Sequence, residues 1–320
     1  MDIGFIGAGN IAGAHLENLD EISDANVVAV CDVDEETAQE AAEPREAAVY
    51  NSHERLYEEE SLDAVYICIP PFAHTDQEIM AAERGIDMFI EKPVALDLDL
   101  ADRVGGVIAE HDVITQVGYT FRYSDLIEHV KELLEGRSIG LIQRDRLGGL
   151  PSTPWWRVKS KSGGQVVEMT THGYDLMRYL AGDVSQVSAN GNRVVLTDEI
   201  DFEESVASIM EHENGAISQI NSSCAYDGWH ATTTILADGV ALELDRGDGL
   251  VSGTVDGESY EYQGGNDAML EEDKAFVRAV QEQDPDLTRS PYADAVKTLE
   301  VTLSVYEAIE QREPVTLTRP

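Results

Sequence analysis

The sequence predicts an α/β Rossmann domain with a doubly wound parallel sheet, followed by an α+β domain with an open, mostly antiparallel sheet. Short apolar runs alternate with helical patterns over the first 120 residues or so, which is typical of parallel βαβ units. Strand-like runs dominate from Gln186 onward. They are joined by turn dipeptides that favour hairpins, namely Asn214-Gly215, Asp238-Gly239 and Asp256-Gly257.

Two helical patterns close the chain, at about 267–283 and 291–312. We therefore expect two domains, 1–120 and 121–320. The helix at about 291–312 is a candidate to pack back on the first domain.

The charge of the chain is strongly negative, with 62 acidic and 22 basic residues and a net charge of −40. The acids are scattered, including 58–60 and 271–273, which predicts a solvated acidic surface such as proteins carry in a halophilic cytoplasm. Nucleic acid and anionic membranes are excluded as partners, because they require clustered Lys and Arg. Neither a signal peptide nor a membrane helix is expected. Cys31, Cys68 and Cys224 lack a CxxC spacing and are expected to be buried thiols in a cytoplasmic protein.

A glycine turn follows the first strand in "DIGFIGAGNIAGAHLENL". Gly7, Gly9 and Ala12 form the G-x-G-x-x-A pattern of dinucleotide-binding loops. Gly7 permits the tight turn, and Gly9 lets the backbone approach a pyrophosphate. The helix that begins at Asn10 and Ile11 offers free N–H groups to the same phosphates.

An acid ends the second strand, "NVVAVCDVD", at Asp32, which lies 23 residues after Gly9. A carboxylate there can bind the ribose hydroxyls of NAD and repels a 2′-phosphate. No Arg or Lys occurs between Val33 and Ala42 to receive such a phosphate, so NAD is favoured and NADP is the second candidate. An ordinary strand-end acid is the alternative for Asp32.

The third buried strand ends in "CIPPFAH", on the side of the sheet where open α/β sheets bind ligands. We expect the backbone of Ile69, Pro70 and Pro71 to line the cofactor. His74 has two open roles, cofactor binding or capping of the next helix.

The stretch "FIEKPV" places an acid, a base and a proline directly after an apolar strand. Pro93 biases Lys92 toward an extended conformation, so the strand end presents the ammonium group at the carboxyl edge of the sheet. Nicotinamide and substrate are expected to meet there. Glu91 either pairs locally or contacts the cofactor.

A second constellation lies in "SGGQVVEMTTHGYDLMRYLAGD", for which the pattern predicts one helix over roughly 165–180. Glu168, His172 and Asp175 are spaced to share one face of that helix, on an apolar stripe. Such a row is costly unless its groups are hydrogen-bonded or functional, so a structural network and a catalytic site both remain open.

With these motifs the chain resembles the glucose–fructose oxidoreductase / inositol dehydrogenase (Gfo/Idh/MocA) family. The resemblance is carried by "GFIGAGNIAGAH", "CIPPFAHTDQEIMAAERGIDMFIEKPVAL", "GGQVVEMTTHGYDLMRYLAG" and "DAVKTLEVTLSVYEAIEQREPV". E-K-P together with the downstream G-G-x(3)-E-x(3)-H-x(2)-D makes the combination specific. The resemblance implies a Rossmann domain, an open-sheet domain and oxidation or reduction of a carbinol carbon of a sugar or polyol with NAD(P).

The resemblance also implies catalytic roles for Lys92, Glu168 and His172. His172 would act as the general base toward the substrate hydroxyl. Lys92 would bind the reacting oxygen and touch the nicotinamide ribose. Glu168 would orient His172 or hold a neighbouring hydroxyl. The commoner family pattern has Asp at position 168 and Gly at position 170, where this chain has Thr170, and Lys92 stays open as the alternative base.

A basic, aromatic segment, "PSTPWWRVKSKSGG", suggests a lid over the substrate. Trp155 and Trp156 suit sugar rings, and Lys159 and Lys161 suit a carboxylate or phosphate on a polyhydroxy compound. A packed surface loop is the alternative. The further candidates for substrate contact are Arg122, for which a hinge role is equally open, and Asp175.

The leading functional hypothesis is an NAD-dependent dehydrogenase of a sugar or polyol. The alternatives are a glycosidase that retains NAD and acts by transient oxidation, and an NAD-binding sensor without turnover. One exposed face of the C-terminal sheet is the expected contact of a homo-oligomer, a dimer or tetramer. The sequence contains no metal-ligand spacing, so no metal is expected.

Overall fold

The computed structural model describes residues 1–319, which divide into two compact units. The first unit comprises Met1–Thr120 and Asp267–Val296. The second comprises Phe121–Asn266 and the chain from Lys297 onward.

A six-stranded parallel sheet with order β3-β2-β1-β4-β5-β6 forms the first unit, which confirms the predicted doubly wound Rossmann topology. Helices alternate with its strands along the chain. The elements are β1 Asp2–Ile6, α1 Asn10–Asp20, β2 Asn26–Cys31, α2 Glu35–Ala42, β3 Ala48–Tyr50, α3 His53–Glu59, β4 Ala64–Ile67, α4 Gln77–Ala82, β5 Asp87–Ile90, α5 Leu98–His111 and β6 Thr115–Val117.

Three aromatic rings cross the middle of this sheet in register. Phe5 on β1, Tyr66 on β4 and Phe89 on β5 are paired residues of neighbouring strands. Their rings stack with centroids 4.9 Å and 4.7 Å apart, and all three are fully buried. Burial on both faces explains why these strands are apolar at nearly every position.

The second unit contains a nine-stranded sheet with order β14-β13-β12-β11-β7-β10-β9-β8-β15. Only the β7–β10 pair is parallel, so the predicted mostly antiparallel sheet is confirmed. Its elements up to the last hairpin are α6 Asp125–Leu134, β7 Ile139–Gly148, α7 Lys159–Ser162, α8 Gly164–Glu168, α9 Thr171–Ala181, β8 Val184–Asn192, β9 Ser205–His212, β10 Ile217–Ser223, β11 Trp229–Ala237, β12 Val240–Asp245, β13 Leu250–Val255 and β14 Glu258–Gln263.

The predicted hairpins form at all three turn dipeptides, because their glycines have positive φ. Two long helices then follow, α10 Ala268–Glu282 and α11 Tyr292–Gln311, and a short strand, β15 Val315–Thr316, ends the described chain. The thiols of Cys31, Cys68 and Cys224 are buried, as expected. None of the helices within residues 1–319 combines the length and the apolar character that crossing a membrane requires.

The single helix predicted over 165–180 is wrong, because the chain breaks between α8 and α9. The amides of Met169 and Thr170 both donate to Gln165 O, at 3.1 Å and 2.8 Å, and the second of these bonds closes α8 with a wider, π-type turn. Gly173 N then donates to Thr170 O at 2.7 Å as α9 begins. Glu168 and His172 therefore lie on either side of a break rather than on one continuous helical face.

The prediction of a solvated acidic surface is wrong for two of its residues. Glu272 and Asp273 on α10 are completely buried. The helical period places them on the same side as Phe276 and Val277, which face the core of the first unit. Acid-rich composition concealed this inward-facing pair.

Asp175 forms a buried ion pair with Arg122 in the second unit. Arg122 Nε and Nη2 donate to the two carboxylate oxygens at 2.9 Å and 2.5 Å, and Thr298 Oγ1 donates to Oδ1 at 3.1 Å. Asp175 is fully buried and Arg122 nearly so. This bidentate geometry connects the start of the unit with α9 and α11.

We expect Asp175→Ala to lower the free energy of unfolding by about 3–5 kcal/mol, because the buried Arg122 guanidinium loses its bidentate carboxylate. Denaturant unfolding measures the loss. The matched control is Glu282→Ala, which removes the exposed Arg278–Glu282 pair of α10 and should change stability far less, because solvent screens the pair. Equal losses in the two variants would contradict the structural role of the buried pair.

Candidate active site

The glycine turn after β1 has the geometry that its sequence predicts. Gly7 has φ +90°, and a Cβ there would lie 2.3 Å from the carbonyl oxygen of Cys68. Gly9 has ordinary extended angles, and a Cβ there would meet no atom within 4 Å. The space in front of Gly9 is therefore open, and the following residues, Asn10 and Ile11, are exposed at the start of α1.

The residues around this turn fit a dinucleotide. No side chain caps the amides of the first turn of α1, so they can donate to a pyrophosphate. The carboxylate of Asp32 stands at the end of β2, where it accepts from Ala8 N at 2.8 Å and Asp34 N at 2.9 Å. Each oxygen keeps a free lone pair for a ribose hydroxyl. The neighbouring Val33 is 95% exposed, which offers an apolar surface beside the acid.

The segment after β4 turns over Pro70 and a short 3-10 helix that begins at Pro71. Ile69 and Pro70 are partly exposed, whereas Pro71 and His74 are buried. The His74 imidazole lies 2.5 Å from the carboxylate of Glu78 in α4, whereas Asp76 occupies the N-cap position of α4, so His74 does not cap this helix.

Glu91 lies at the centre of a buried hydrogen-bond network in the first unit. Its Oε1 lies 3.2 Å from Nε2 of His15 on α1, and its Oε2 accepts from the amide of Lys92 at 3.1 Å. The other ring nitrogen of His15 lies 2.7 Å from Asp273 Oδ1 on α10. The local pairing proposed for Glu91 from sequence is therefore present. The Lys92–Pro93 peptide bond is cis, and the Lys92 side chain is partly exposed.

Burial alone would lower the pKa of His15, but the hydrogen bonds and charges of Asp273 and Glu91 outweigh burial and raise it to about 10. His15 is thus an imidazolium at neutral pH, held between two carboxylates. Burial raises the pKa of the adjacent Glu272 carboxyl well above its usual range. The sequence offered one signal of this network, a histidine on the apolar face of α1 next to Leu16 and Leu19.

The second unit holds Glu168 and His172 in an aromatic setting. The indole Nε1–H of Trp156 donates to Glu168 Oε2. The Phe121 ring stacks on the His172 imidazole, with centroids 5.0 Å apart and an interplanar angle of 25°. Both Glu168 and His172 are partly exposed, although most residues of α8 and α9 are buried. Both side chains can therefore reach a ligand.

The segment proposed as a lid is anchored to the second unit. Trp156 is buried and meets the Phe202 ring edge-on at 5.3 Å, while Trp155 packs against the same cluster. Lys159 Nζ lies 3.5 Å from Glu203 and 3.9 Å from the centre of the Tyr306 ring. Lys161 is exposed.

Sequence interpretation missed three arginines of the second unit, namely Arg144, Arg146 and Arg246. Arg144 packs against Gly173, next to His172, and Arg246 lies over the Phe121 ring that stacks on His172. The first two alternate along β7, whose run "IQRDRLG" carries charges that obscured a strand. Arginines two residues apart share one face of a strand, and basic residues number only 22 in this chain. This spacing is the sequence signal that could have identified the cluster.

Comparison with known proteins agrees with this fold. Residues 1–119 match the model of an oxidoreductase family described as having an NAD-binding Rossmann fold, and residues 127–241 match the GFO/IDH/MocA C-terminal domain. A myo-inositol 2-dehydrogenase of Thermotoga maritima is 31% identical over 314 residues, which cover 89% of this chain and 90% of that protein. The chain therefore belongs to the Gfo/Idh/MocA family of NAD-binding oxidoreductases, as its motifs indicated.

Solved structures share the whole architecture. One, described as a "probable dehydrogenase" from Thermotoga maritima, superposes with a TM-score of 0.82 at 26% identity, over 99% of this chain and 98% of that one. Levoglucosan dehydrogenase in complex with NADH and L-sorbose superposes with a TM-score of 0.88 over 100% and 99% of the two chains. Its sequence identity is 17%, so this second comparison concerns the fold alone.

We expect His15→Phe to destabilise the protein by about 3–5 kcal/mol at pH 7, because two buried carboxylates lose their cation. The folded pKa of His15 is raised, so its contribution is complete below about pH 6.5 and disappears as the pH rises toward 10. Denaturant unfolding at pH 6, 7.5 and 9 should show the difference from wild type shrinking. The control is His111→Phe, at an exposed histidine on α5. A difference that stays constant over this range would contradict a charged His15.

We expect Gly9→Ala to leave stability within about 0.5 kcal/mol of wild type, since its Cβ meets no neighbour and its angles suit alanine. The added methyl group would occupy the space of a pyrophosphate and raise the Kd for NAD about tenfold or more. Calorimetric titration with NAD tests this. Gly106→Ala, in the middle of α5 with equally open surroundings, is the control and should bind NAD normally.

Proposed function

We propose that the protein is an NAD-dependent dehydrogenase that oxidises a carbinol carbon of a sugar, polyol or sugar derivative, or reduces the corresponding carbonyl. The observation that carries the proposal is the glycine turn with its open space at Gly9 beside the Asp32 carboxylate, in a chain of the Gfo/Idh/MocA family. The similarity to a myo-inositol 2-dehydrogenase supports a polyhydroxy substrate. NAD is the preferred cofactor, with NADP as the second candidate.

The cofactor-binding residues in this proposal are Gly7, Gly9, Asn10, Ile11, Asp32, Ile69, Pro70, Pro71, His74, Glu91 and Lys92. When bound, NAD supplies a nicotinamide ring that can accept a hydride. The α1 amides bind the pyrophosphate, and the Asp32 carboxylate binds the adenosine ribose.

Lys92, His172 and Glu168 are the proposed catalytic residues. The Lys92 ammonium donates a hydrogen bond to the reacting oxygen and stabilises its developing negative charge. The His172 imidazole accepts the hydroxyl proton as hydride leaves the same carbon. Glu168, whose carboxylate is held by the Trp156 indole, orients His172 or a neighbouring substrate hydroxyl. Stacking on Phe121 restricts the imidazole to one plane, which supports its role as a positioned base.

The proposal also assigns roles to the two domains and a cellular environment to the protein. Residues 1–120 form the cofactor-binding domain, and residues 121–320 the substrate-binding and oligomerisation domain, whose sheet mediates a dimer or tetramer. Arg122, Trp155, Trp156, Lys159, Lys161 and Asp175 remain candidates for shaping the substrate pocket. The net charge of −40 supports a cytoplasm of high salt content.

A panel of polyols and aldoses with NAD and NADP in concentrated KCl tests the activity. We expect NADH to accumulate in absorbance at 340 nm in stoichiometric excess over enzyme with at least one polyol. Such net NADH formation would exclude a glycosidase that retains its cofactor and only oxidises its substrate transiently. NAD binding without any turnover would identify a sensor.

We expect Lys92→Ala to lower kcat by at least about 100-fold, because the reacting oxygen loses its charged donor. The Kd for NAD should stay within about threefold of wild type, since the phosphate and ribose contacts are elsewhere. Steady-state kinetics and calorimetric titration separate the two effects. Lys274→Ala, at an exposed lysine on α10, is the matched control. A kcat like that of wild type in Lys92→Ala would overturn the assignment of Lys92.

A further inference from the structure

Three arginines occupy one face of the sheet in the second unit. Arg144 and Arg146 alternate on β7 and are both nearly fully buried. Arg246 directly follows β12. In the register of the sheet, Arg144 pairs with Thr233 and Thr233 pairs with Leu244, so Arg246, two residues further, continues on the same face.

These arginines lack the partners that buried arginines normally have. Arg144 Nη1 donates to Thr233 Oγ1 at 2.7 Å, and Arg146 Nη1 donates to a backbone carbonyl at 3.3 Å. The Arg246 guanidinium lies 3.4 Å from the centre of the Phe121 ring. Within residues 1–319, none of the three forms an ion pair with Asp or Glu.

Other buried arginines of the same unit show the contrast. Arg122 is paired with Asp175 at 2.5 Å, and Arg178 with Asp183 at 2.6 Å. The chain has 62 acidic residues, so carboxylates are not scarce. A cluster that forms no ion pair is therefore a specific feature of this face, where the Glu168 carboxylate acts on Arg146 through its charge alone.

The cluster is electrostatically costly when no anion is bound. Burial, together with the charges of Arg246 and Arg146, lowers the pKa of Arg144 to about 10, and burial lowers that of Arg246 to about 10 as well. Arg144 and Arg246 thus remain charged at neutral pH, and the charges of Arg246 and Arg146 both act against that of Arg144. Uncompensated buried charges are rare in proteins and concentrate at ligand sites.

Two further contacts locate the cluster beside His172. The Phe121 ring that contacts the Arg246 guanidinium also stacks on the His172 imidazole. The aliphatic part of Arg144 packs under α9, where a Cβ on Gly173 would lie 3.3 Å from Arg144 Cδ and Nε. An anion bound by these arginines would therefore lie close to the proposed base.

The strand next to β7 contributes a polar group to the same face. Ser222 on β10 is the register partner of Arg146. Its hydroxyl is buried and has no hydrogen-bond partner in the part of the chain that the structure describes. A buried hydroxyl beside Arg146 is a suitable further donor to an oxyanion.

We propose that Arg144, Arg146 and Arg246 form a subsite for an oxyanion on the substrate, so that the preferred substrate is a sugar or polyol carrying a carboxylate or a phosphate. This inference rests on the proposed dehydrogenase function. Arginine suits the role because its planar donors bind carboxylate and phosphate oxygens in pairs. The remaining hydroxyls of the substrate would face His172.

Kinetics with matched substrates test the proposal. Aldoses and polyols are compared with the aldonates, uronates and sugar phosphates of the same carbon skeletons, in KCl without sulfate or phosphate buffer. We expect kcat/KM to favour the acidic compounds by about tenfold or more, and the carboxylate and phosphate series decide which oxyanion fits.

Arg246→Gln and Arg144→Gln should raise KM for the preferred acid about 10- to 100-fold with kcat within about threefold. Preference for the neutral compounds, or an unchanged KM in both variants, would overturn the subsite and leave the dehydrogenase proposal intact.

Thermal unfolding decides the point even when no substrate is oxidised. Inorganic phosphate titrated at constant ionic strength should raise the Tm of the wild type more than that of Arg246→Gln, whose smaller rise measures the general salting effect. Without phosphate, Arg246→Gln should be at least as stable as wild type, because a partly buried charge that repels Arg144 is removed. Arg137→Gln, at an exposed arginine paired with Asp256, is the control and should respond to phosphate like wild type. Equal phosphate responses in wild type and Arg246→Gln would refute the subsite.

Discussion

A buried imidazolium between two carboxylates organises the first unit. His15 joins α1, which begins at the glycine turn, to Asp273 on α10 and to Glu91 at the end of β5. Glu91 in turn holds the amide of Lys92. Burying these charges is tolerated only because they compensate each other, and the raised pKa of His15 reflects that mutual stabilisation. The cofactor turn and the proposed catalytic lysine therefore depend on one electrostatic contact within the core.

The Glu91 carboxylate in this contact has room only because a neighbouring residue lacks a side chain. A Cβ on Gly118, just after β6, would lie 2.6 Å from Glu91 Oε1. Gly118 thus leaves room for the carboxylate, and its amide completes the sheet by donating to Ile90 O at 2.9 Å. Close approach of backbone to a functional carboxylate explains a glycine here without any unusual φ.

The second unit uses its buried charges in two ways. Asp175 compensates Arg122 and Asp183 compensates Arg178, which strengthens the connection between α9 and its surroundings. Arg144 and Arg246 have only a hydroxyl and an aromatic face as neighbours. Paired charges support the fold, whereas in our proposal the charges without an ion pair bind a ligand, and this difference separates scaffold from site within the second unit.

Local patterns determined most of the fold in advance. The turn at Gly7, the apolar strands and the Asp-Gly and Asn-Gly hairpins each depend on residues close together in the sequence. These elements can therefore be predicted without tertiary information. Only tertiary structure decided the break at Thr170, the burial of Glu272 and Asp273, and the pairing of Asp175 with Arg122. The physical reason is that the free-energy cost of burying a polar group depends on which partner, distant in the sequence, forms a hydrogen bond or ion pair with it. The sequence alone therefore established a dinucleotide-binding oxidoreductase, while the fold decided which of its charged residues are paired and which can meet a substrate.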